Sequence, residues 1–350
     1  MSKHANSSTR LTLSRYIHTM QWEQRLLYPV LGNILVTKPM FGTARIKPPA
    51  LRPGDLIGIV APASNIKPDM LAEGCSELER LGFRTLYRPG IASAYRYFSG
   101  TDERRAAELL EMIRNPEVRA IFCARGGYGS ARLIPYIEPE LLRANPKIIN
   151  GSSDITSLLT FWDRSGLVGF HGPMVATAIR QGADAYELRL LLDLLRGEAV
   201  RFPLAGTTVL RSGNAEGRLT GGCLSLVVAT LGTAYEIDTT DSILVLEDLD
   251  TKPYQIDRML TQLKHAGKLK GIQGMVFGEM LNCAQHVHQG YSLEEVVIDV
   301  LADTAFPVLY GFPTGHTSRA NAMVPFGVRA GLSLGSNSVF ELLEPAVSVE

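Results

Sequence analysis

The sequence predicts two α/β domains joined by a more polar connecting segment, and three observations carry that prediction. A chain of 350 residues is too long for one small module and suits two globular bodies. From Leu56 onward, short apolar runs alternate with amphipathic segments, as in a parallel sheet covered by helices. Hydrophobic residues make up 45% and charged residues 20%, the ordinary composition of a soluble protein with a sizeable core.

The elements follow in order. Residues 1–48 stand apart, because seven basic residues (Lys3, Arg10, Arg15, Arg25, Lys38, Arg45 and Lys47) face one acid, Glu23. A targeting segment has this flavour, but Pro29, Gly32 and Asn33 interrupt its apolar stretch Leu26–Val36, and no small-residue cleavage site follows cleanly. A poorly ordered extension is expected, or upstream sequence ahead of a start at Met40. Residues 49–175 form the first domain. Strands are expected at Leu56–Ala61, Arg119–Ala124, Lys147–Asn150 and Leu167–Phe170, with helices at Met70–Leu81, Thr101–Ile113 and Ile155–Arg164. Residues 176–214 connect, with one clear helix at Tyr186–Arg196. Residues 215–350 form the second domain. Its strands are expected at Ser242–Leu246, Gly274–Phe277, Val308–Phe312 and Phe340–Leu343, and its helices at Ile256–His265 and Leu293–Leu301. Ser292 and Glu295 form a capping box at the start of the last helix.

Charge and cysteine content narrow the partners. Lys+Arg of 35 against Asp+Glu of 35 leaves no basic excess for a nucleic-acid partner. The four cysteines, Cys75, Cys123, Cys223 and Cys283, form no C-x-x-C pair, so neither a disulfide framework nor a cysteine-based zinc site is expected. No run approaches the roughly eighteen apolar residues of a membrane span, and no membrane partner is expected.

Chemistry in α/β sheets gathers beyond the carboxyl ends of strands. Ser153 lies in such a turn, Gly151-Ser-Ser-Asp154, where a following helix start offers N–H groups to negative charge. The turn resembles a nucleophile elbow except that Ile155 replaces the second glycine; a plain helix cap is the alternative. Glu247 follows a strand and precedes Asp248 and Asp250, either to orient a histidine or as a solvated acidic loop. His316 follows another strand, in Gly311-Phe-Pro-Thr-Gly-His316. Together they give the chain order serine, acid, histidine, one of several in which an imidazole activates a serine. The glycine-rich turn Arg125-Gly-Gly-Tyr-Gly129 suits a backbone cradle for a phosphate or an oxyanion, although it does not match the dinucleotide pattern. Cys283, His286 and His288 make a soft-ligand cluster whose histidine spacing faces together only on a strand.

Several motifs in register resemble the LD-carboxypeptidase family of serine peptidases. They are Leu51-Arg-Pro-Gly-Asp-Leu-Ile-Gly-Ile-Val-Ala-Pro-Ala-Ser64, Arg125-Gly-Gly-Tyr-Gly129, Gly151-Ser-Ser-Asp154, His171-Gly-Pro173, Gly217-Arg-Leu-Thr-Gly-Gly222, Leu246-Glu-Asp248 and Gly315-His316. The resemblance implies a flavodoxin-like parallel α/β domain carrying the nucleophile and a C-terminal α/β domain built around a β-barrel carrying the acid and base. It implies a catalytic triad of Ser153, Glu247 and His316, and an oxyanion hole from the main-chain N–H groups of Asp154 and Gly127. It further implies a homodimer without cofactor or metal, releasing terminal D-alanine from murein tetrapeptides during cytoplasmic recycling of cell wall.

A cation for the substrate carboxylate falls on Arg125 or Arg96, and His171 reads as structural. Cys223 stands where many members have asparagine, and Ser152 where a bulkier residue is usual. A related group, the microcin C immunity peptidases, cleaves peptidyl- or aminoacyl-nucleotides and stacks the adenine on an aromatic residue between the domains. Here Gly172–Gly222 supplies only Tyr186 and Phe202, and the tryptophans, Trp22 and Trp162, lie elsewhere.

Overall fold

Leu56–Val60 (β1) is five consecutive buried residues, the pattern of a strand covered on both faces. In the computed structural model, which describes residues 45–284 and 290–349, it lies in a parallel sheet with Arg84–Leu86 (β2), Val118–Cys123 (β3), Ile148–Gly151 (β4) and Gly169–His171 (β5). Their order across the sheet is β2-β1-β3-β4-β5. This is a doubly wound arrangement whose switch point lies between β1 and β3. Helix Pro68–Arg80 buries Leu71, Gly74, Cys75 and Leu78. Helix Asp102–Arg114 starts from a Thr101 side chain that accepts from the Arg104 N–H, as serine and threonine caps do.

The second sheet is a curled half-barrel made of Thr208–Arg211 (β6), Gly213–Cys223 (β7), Ser242–Glu247 (β8), Gly274–Gly278 (β9), Val308–Phe312 (β10), Arg329–Leu334 (β12) and Val339–Leu342 (β13). Its order is β13-β12-β7-β8-β9-β10-β6, with β7 to β10 parallel. Val324–Phe326 (β11) crosses back and pairs antiparallel with β5, so the C-terminal half completes the first sheet. One core cluster accordingly runs through both sheets, and a second lies between the half-barrel strands and the helices packed on them, around Leu244, Leu246, Ile256 and Phe277. All described residues belong to one compact unit.

Two departures from the sequence expectation have physical causes. No strand was expected at β7, whose run GNAEGRLTGGC lacks apolar alternation. It is a strand because it is flanked by β8 and β12, which pair with it along its length. β6 falls inside the expected connecting segment, where its half-exposed residues show no core pattern. The N-terminal extension lies outside the described residues up to residue 44; beyond it, Arg45 and Lys47 reach Asp163 and Glu344.

Polar contacts join the helix after β4, Thr156–Arg164, to the half-barrel. Cys223 N–H donates to Thr156 Oγ1 at 3.0 Å. Arg218 grips both oxygens of Asp163 at 2.9 and 3.0 Å, and Arg45 adds a bond at 3.0 Å. Asp163 is buried, so leaving it unpaired would strand a charge in the interior.

Candidate active site

Ser153 adopts φ +59° at the sharp turn between β4 and helix Thr156–Arg164. A side chain in this left-handed region is costly, and such strain persists only where the surroundings over-determine it. Gly126 shows the crowding: a Cβ built there would stand 2.8 Å from Ser153 Cβ and 3.2 Å from Asp154 N. The glycine is what lets the Arg125–Gly129 loop approach the serine. Asp154 fastens this loop, since its buried carboxylate accepts from Ser130 N–H at 2.8 Å and its carbonyl from Ser130 Oγ at 2.5 Å. Burial raises the Asp154 carboxyl, with the Ser130 and Gly129 donors and Arg105 opposing. Among the described residues, no protein acceptor takes the amides of Asp154 or Gly127.

Glu247 ends β8, fully buried. Its Oε2 accepts from both the main-chain N–H of His316 at 2.9 Å and the ring Nδ1 at 2.8 Å. Gly315 makes the approach possible: it sits at φ +67°, and a Cβ there would lie 2.3 Å from Glu247 Cδ. Burial alone raises the Glu247 carboxyl, but the hydrogen bond and charge of His316, and then His171, outweigh it and hold it below its usual range. Burial alone lowers the His316 imidazolium; the hydrogen bond and charge of Glu247, with Asp248 and Asp250, outweigh it and raise the ring above its ordinary value. An ionised carboxylate thus fixes a ring whose Nε2 is left for a substrate or a serine.

Ser153 and His316 line the same cleft, of about 730 Å3, together with Arg125, Gly126 and Gly127. No hydrogen bond joins Ser153 Oγ to the ring among the described residues. Arg125 lines the cleft, exposed, with one guanidinium bond to Asn65 O at 3.3 Å. Arg96 does not: it is exposed in the Tyr95–Tyr97 loop, over the Tyr95 ring. Arg319 also lines the cleft, but Ala205 O, Gly311 O and Glu279 occupy its guanidinium.

His171 is buried behind Glu247, its Nε2 3.6 Å from Oε1. Burial pushes its pKa down to about 4 against the pull of Glu247. Cys223 lies beside the pair, with its sulfur within 4.8 Å of ligating atoms of both Glu247 and His316. Cys283 is buried away from the cleft, and His286 and His288 lie outside the described residues.

Two supporting residues were missed in the sequence. Glu279 accepts from Ser318 N–H at 3.0 Å and from the hydroxyls of Thr317 and Ser318, which holds the chain after His316. It directly follows β9, so the rule that singled out Glu247 applies equally to it. Asn321 donates to Gly315 O at 2.6 Å from the far side of the loop, and no local sequence signal marks it.

Two family models match the chain: the LD-carboxypeptidase N-terminal domain over residues 57–172 and the LD-carboxypeptidase C-terminal domain over residues 216–332. A Bacillus subtilis protein named "Probable murein peptide carboxypeptidase" is 40% identical over 308 residues, covering 86% of this chain and 95% of the relative. The "Microcin C7 self-immunity protein MccF" of Escherichia coli is 27% identical over 334 residues, covering 85% and 95%. The crystal structure of muramoyltetrapeptide carboxypeptidase from Oxalobacter formigenes superposes with a TM-score of 0.74 at 26% identity, covering 82% of this chain and 98% of that one. With both halves matched in order, the chain belongs to the LD-carboxypeptidase family.

Proposed function

We propose that the protein is a serine carboxypeptidase that releases terminal D-alanine from L,D-linked murein tetrapeptides. The observation that carries this reading is the shared cleft: a strained serine from one sheet faces a carboxylate-held imidazole from the other. Ser153 Oγ attacks the scissile carbonyl while His316 takes its proton, and His316 then protonates the departing amine. Glu247 holds the ring and balances its charge. The Asp154 and Gly127 amides receive the developing oxyanion, each worth about 2.7–4 kcal/mol of barrier. Arg125 is the cation best placed for the terminal carboxylate, because Arg319 is already engaged and Arg96 lies off the cleft. The cytoplasmic setting and homodimer implied by the family resemblance belong to the same proposal.

The nucleotide-cleaving alternative is disfavoured by a specific feature. Apart from His316, the residues lining the cleft among those described contain no aromatic ring for a base to stack on. Tyr186 is buried with its hydroxyl on Glu77 at 2.6 Å, and Phe202 stacks on Phe340 in the core.

Ser153→Ala is the direct test. Mass spectrometry of a murein tetrapeptide should show D-alanine release by the wild type, with or without a chelator. The variant should lose at least about four orders of magnitude of turnover, and its retention would remove the serine mechanism. Preferred turnover of an aminoacyl-nucleotide would instead favour the alternative.

A further inference from the structure

Cys223 ends β7 and Glu247 ends β8, and the two are partners in the parallel register. His316 follows β10 and folds back onto Glu247. Three strands therefore deliver a thiol, a carboxylate and an imidazole to one point, with a ligating atom of each within 4.8 Å of the other two. We propose that Cys223, Glu247 and His316 form an inhibitory site for a borderline-soft divalent cation, zinc being the best match.

The donor set is the argument. Sulfur, nitrogen and carboxylate oxygen are the ligand types of zinc, and tetrahedral bonds place such atoms about 3–4 Å apart. The present spacing thus needs only side-chain adjustment. Cys223 Sγ has only weak partners, Ser225 Oγ at 3.3 Å and the Leu226 main-chain N–H, and Glu247 Oε1 has no hydrogen bond to give up. Cys223 and Glu247 are buried while His316 is 25% exposed, so the fourth coordination position opens on the cleft. On binding, the Cys223 S–H bond breaks, a metal–sulfur bond forms and the proton leaves to water. Thiolate and carboxylate together neutralise the ion, which removes the penalty of burying unpaired charge. Turnover stops because the ion holds the imidazole and its carboxylate; this consequence, unlike the binding itself, rests on the peptidase reading. Sequence spacing conceals the site, since its ligands come from three distant strand ends.

Cobalt(II) is the probe, because thiolate ligation gives it a charge-transfer band that oxygen and nitrogen ligands do not. The full-length protein, reduced by a phosphine, should bind cobalt with this band, and zinc should displace it. Cys223→Ser should abolish the band and weaken zinc binding by about tenfold or more. Cys283→Ser, which alters the other cysteine near histidines in the sequence, should leave both unchanged. Zinc should also inhibit murein tetrapeptide turnover in the wild type, reversed by a chelator, and less in Cys223→Ser. Cys223→Asn serves as a second variant should the serine protein not fold. Absence of the band in the wild type, or its survival in both Cys223 variants, overturns the site. A band with undiminished tetrapeptide turnover would leave the metal-binding site standing but overturn its inhibitory role, and with it the assignment of His316 as the base.

Discussion

The two oxygens of Glu247 face opposite worlds. Oε2 takes two hydrogen bonds from His316, a residue that opens onto the cleft. Oε1 looks at His171, which is sealed in the core and stacked on Phe326 at 5.5 Å between ring centroids. Burial opposes the charged form of both rings, yet one rises and the other falls. The difference is distance and depth, since His171 is fully buried while His316 is 25% exposed. A hydrogen bond of 2.8 Å outweighs desolvation, whereas a separation of 3.6 Å leaves burial in command. The same carboxylate therefore has one side hydrogen-bonded to a ring whose pKa it raises and another facing a ring whose pKa burial lowers.

The largest expected effect tests that asymmetry. Glu247→Gln keeps the shape but removes the charge and adds an NH2 that can donate to the ring and favour the wrong His316 tautomer, and kcat should fall by about 10⁴-fold. His171→Gln alters the silent side and should lower kcat by no more than about tenfold. Equal losses in steady-state assays of D-alanine release would show that the two sides act as one unit, and the comparison would fail.

Much of this arrangement is legible in the sequence, and the illegible part has a pattern. Buried strands such as Leu56–Val60 announce themselves because parallel sheets are covered on both faces. Ser153, Glu247 and His316 stand out because each lies at or a few residues past the carboxyl end of a strand. β7 and β11 do not, since glycines and one turn of chain acquire strand geometry only from their neighbours. Likewise His171 reads as structural in its motif. Its closeness to Glu247 comes from packing β5, inside the first sheet, against the end of β8 in the second.

A middle-sized effect should appear in stability. His171 falls from 6.5 to about 4 on folding, so the unfolded chain binds the extra proton between those pH values. Its contribution is complete above about pH 6.5 and is lost as pH drops toward 4, by about 3 kcal/mol. Urea midpoints should therefore decline across this window in the wild type. His171→Gln should flatten the decline while starting from a lower stability at neutral pH or near it. A decline of equal slope in the variant would assign the acid sensitivity to other groups, and His171 would then be protonated no more readily in the unfolded chain than in place.

The smallest effect distinguishes the sides by sign. In the proposed mechanism His316 takes the Ser153 proton and so must be neutral, and kcat/KM should then rise with pH through its raised pKa, on a limb above the ordinary value of 6.5. The stability it contributes runs the opposite way to that of His171: present at low pH, it is lost as pH rises through that same limb. Removing the negative charge in Glu247→Gln should move the limb toward lower pH, measured on whatever turnover remains. His171→Gln should leave the limb in place, because a neutral ring sets no field for its neighbour. If instead that variant moved the limb as far as Glu247→Gln does, the carboxylate would be transmitting charge between the two rings, and the boundary drawn through Glu247 would not exist.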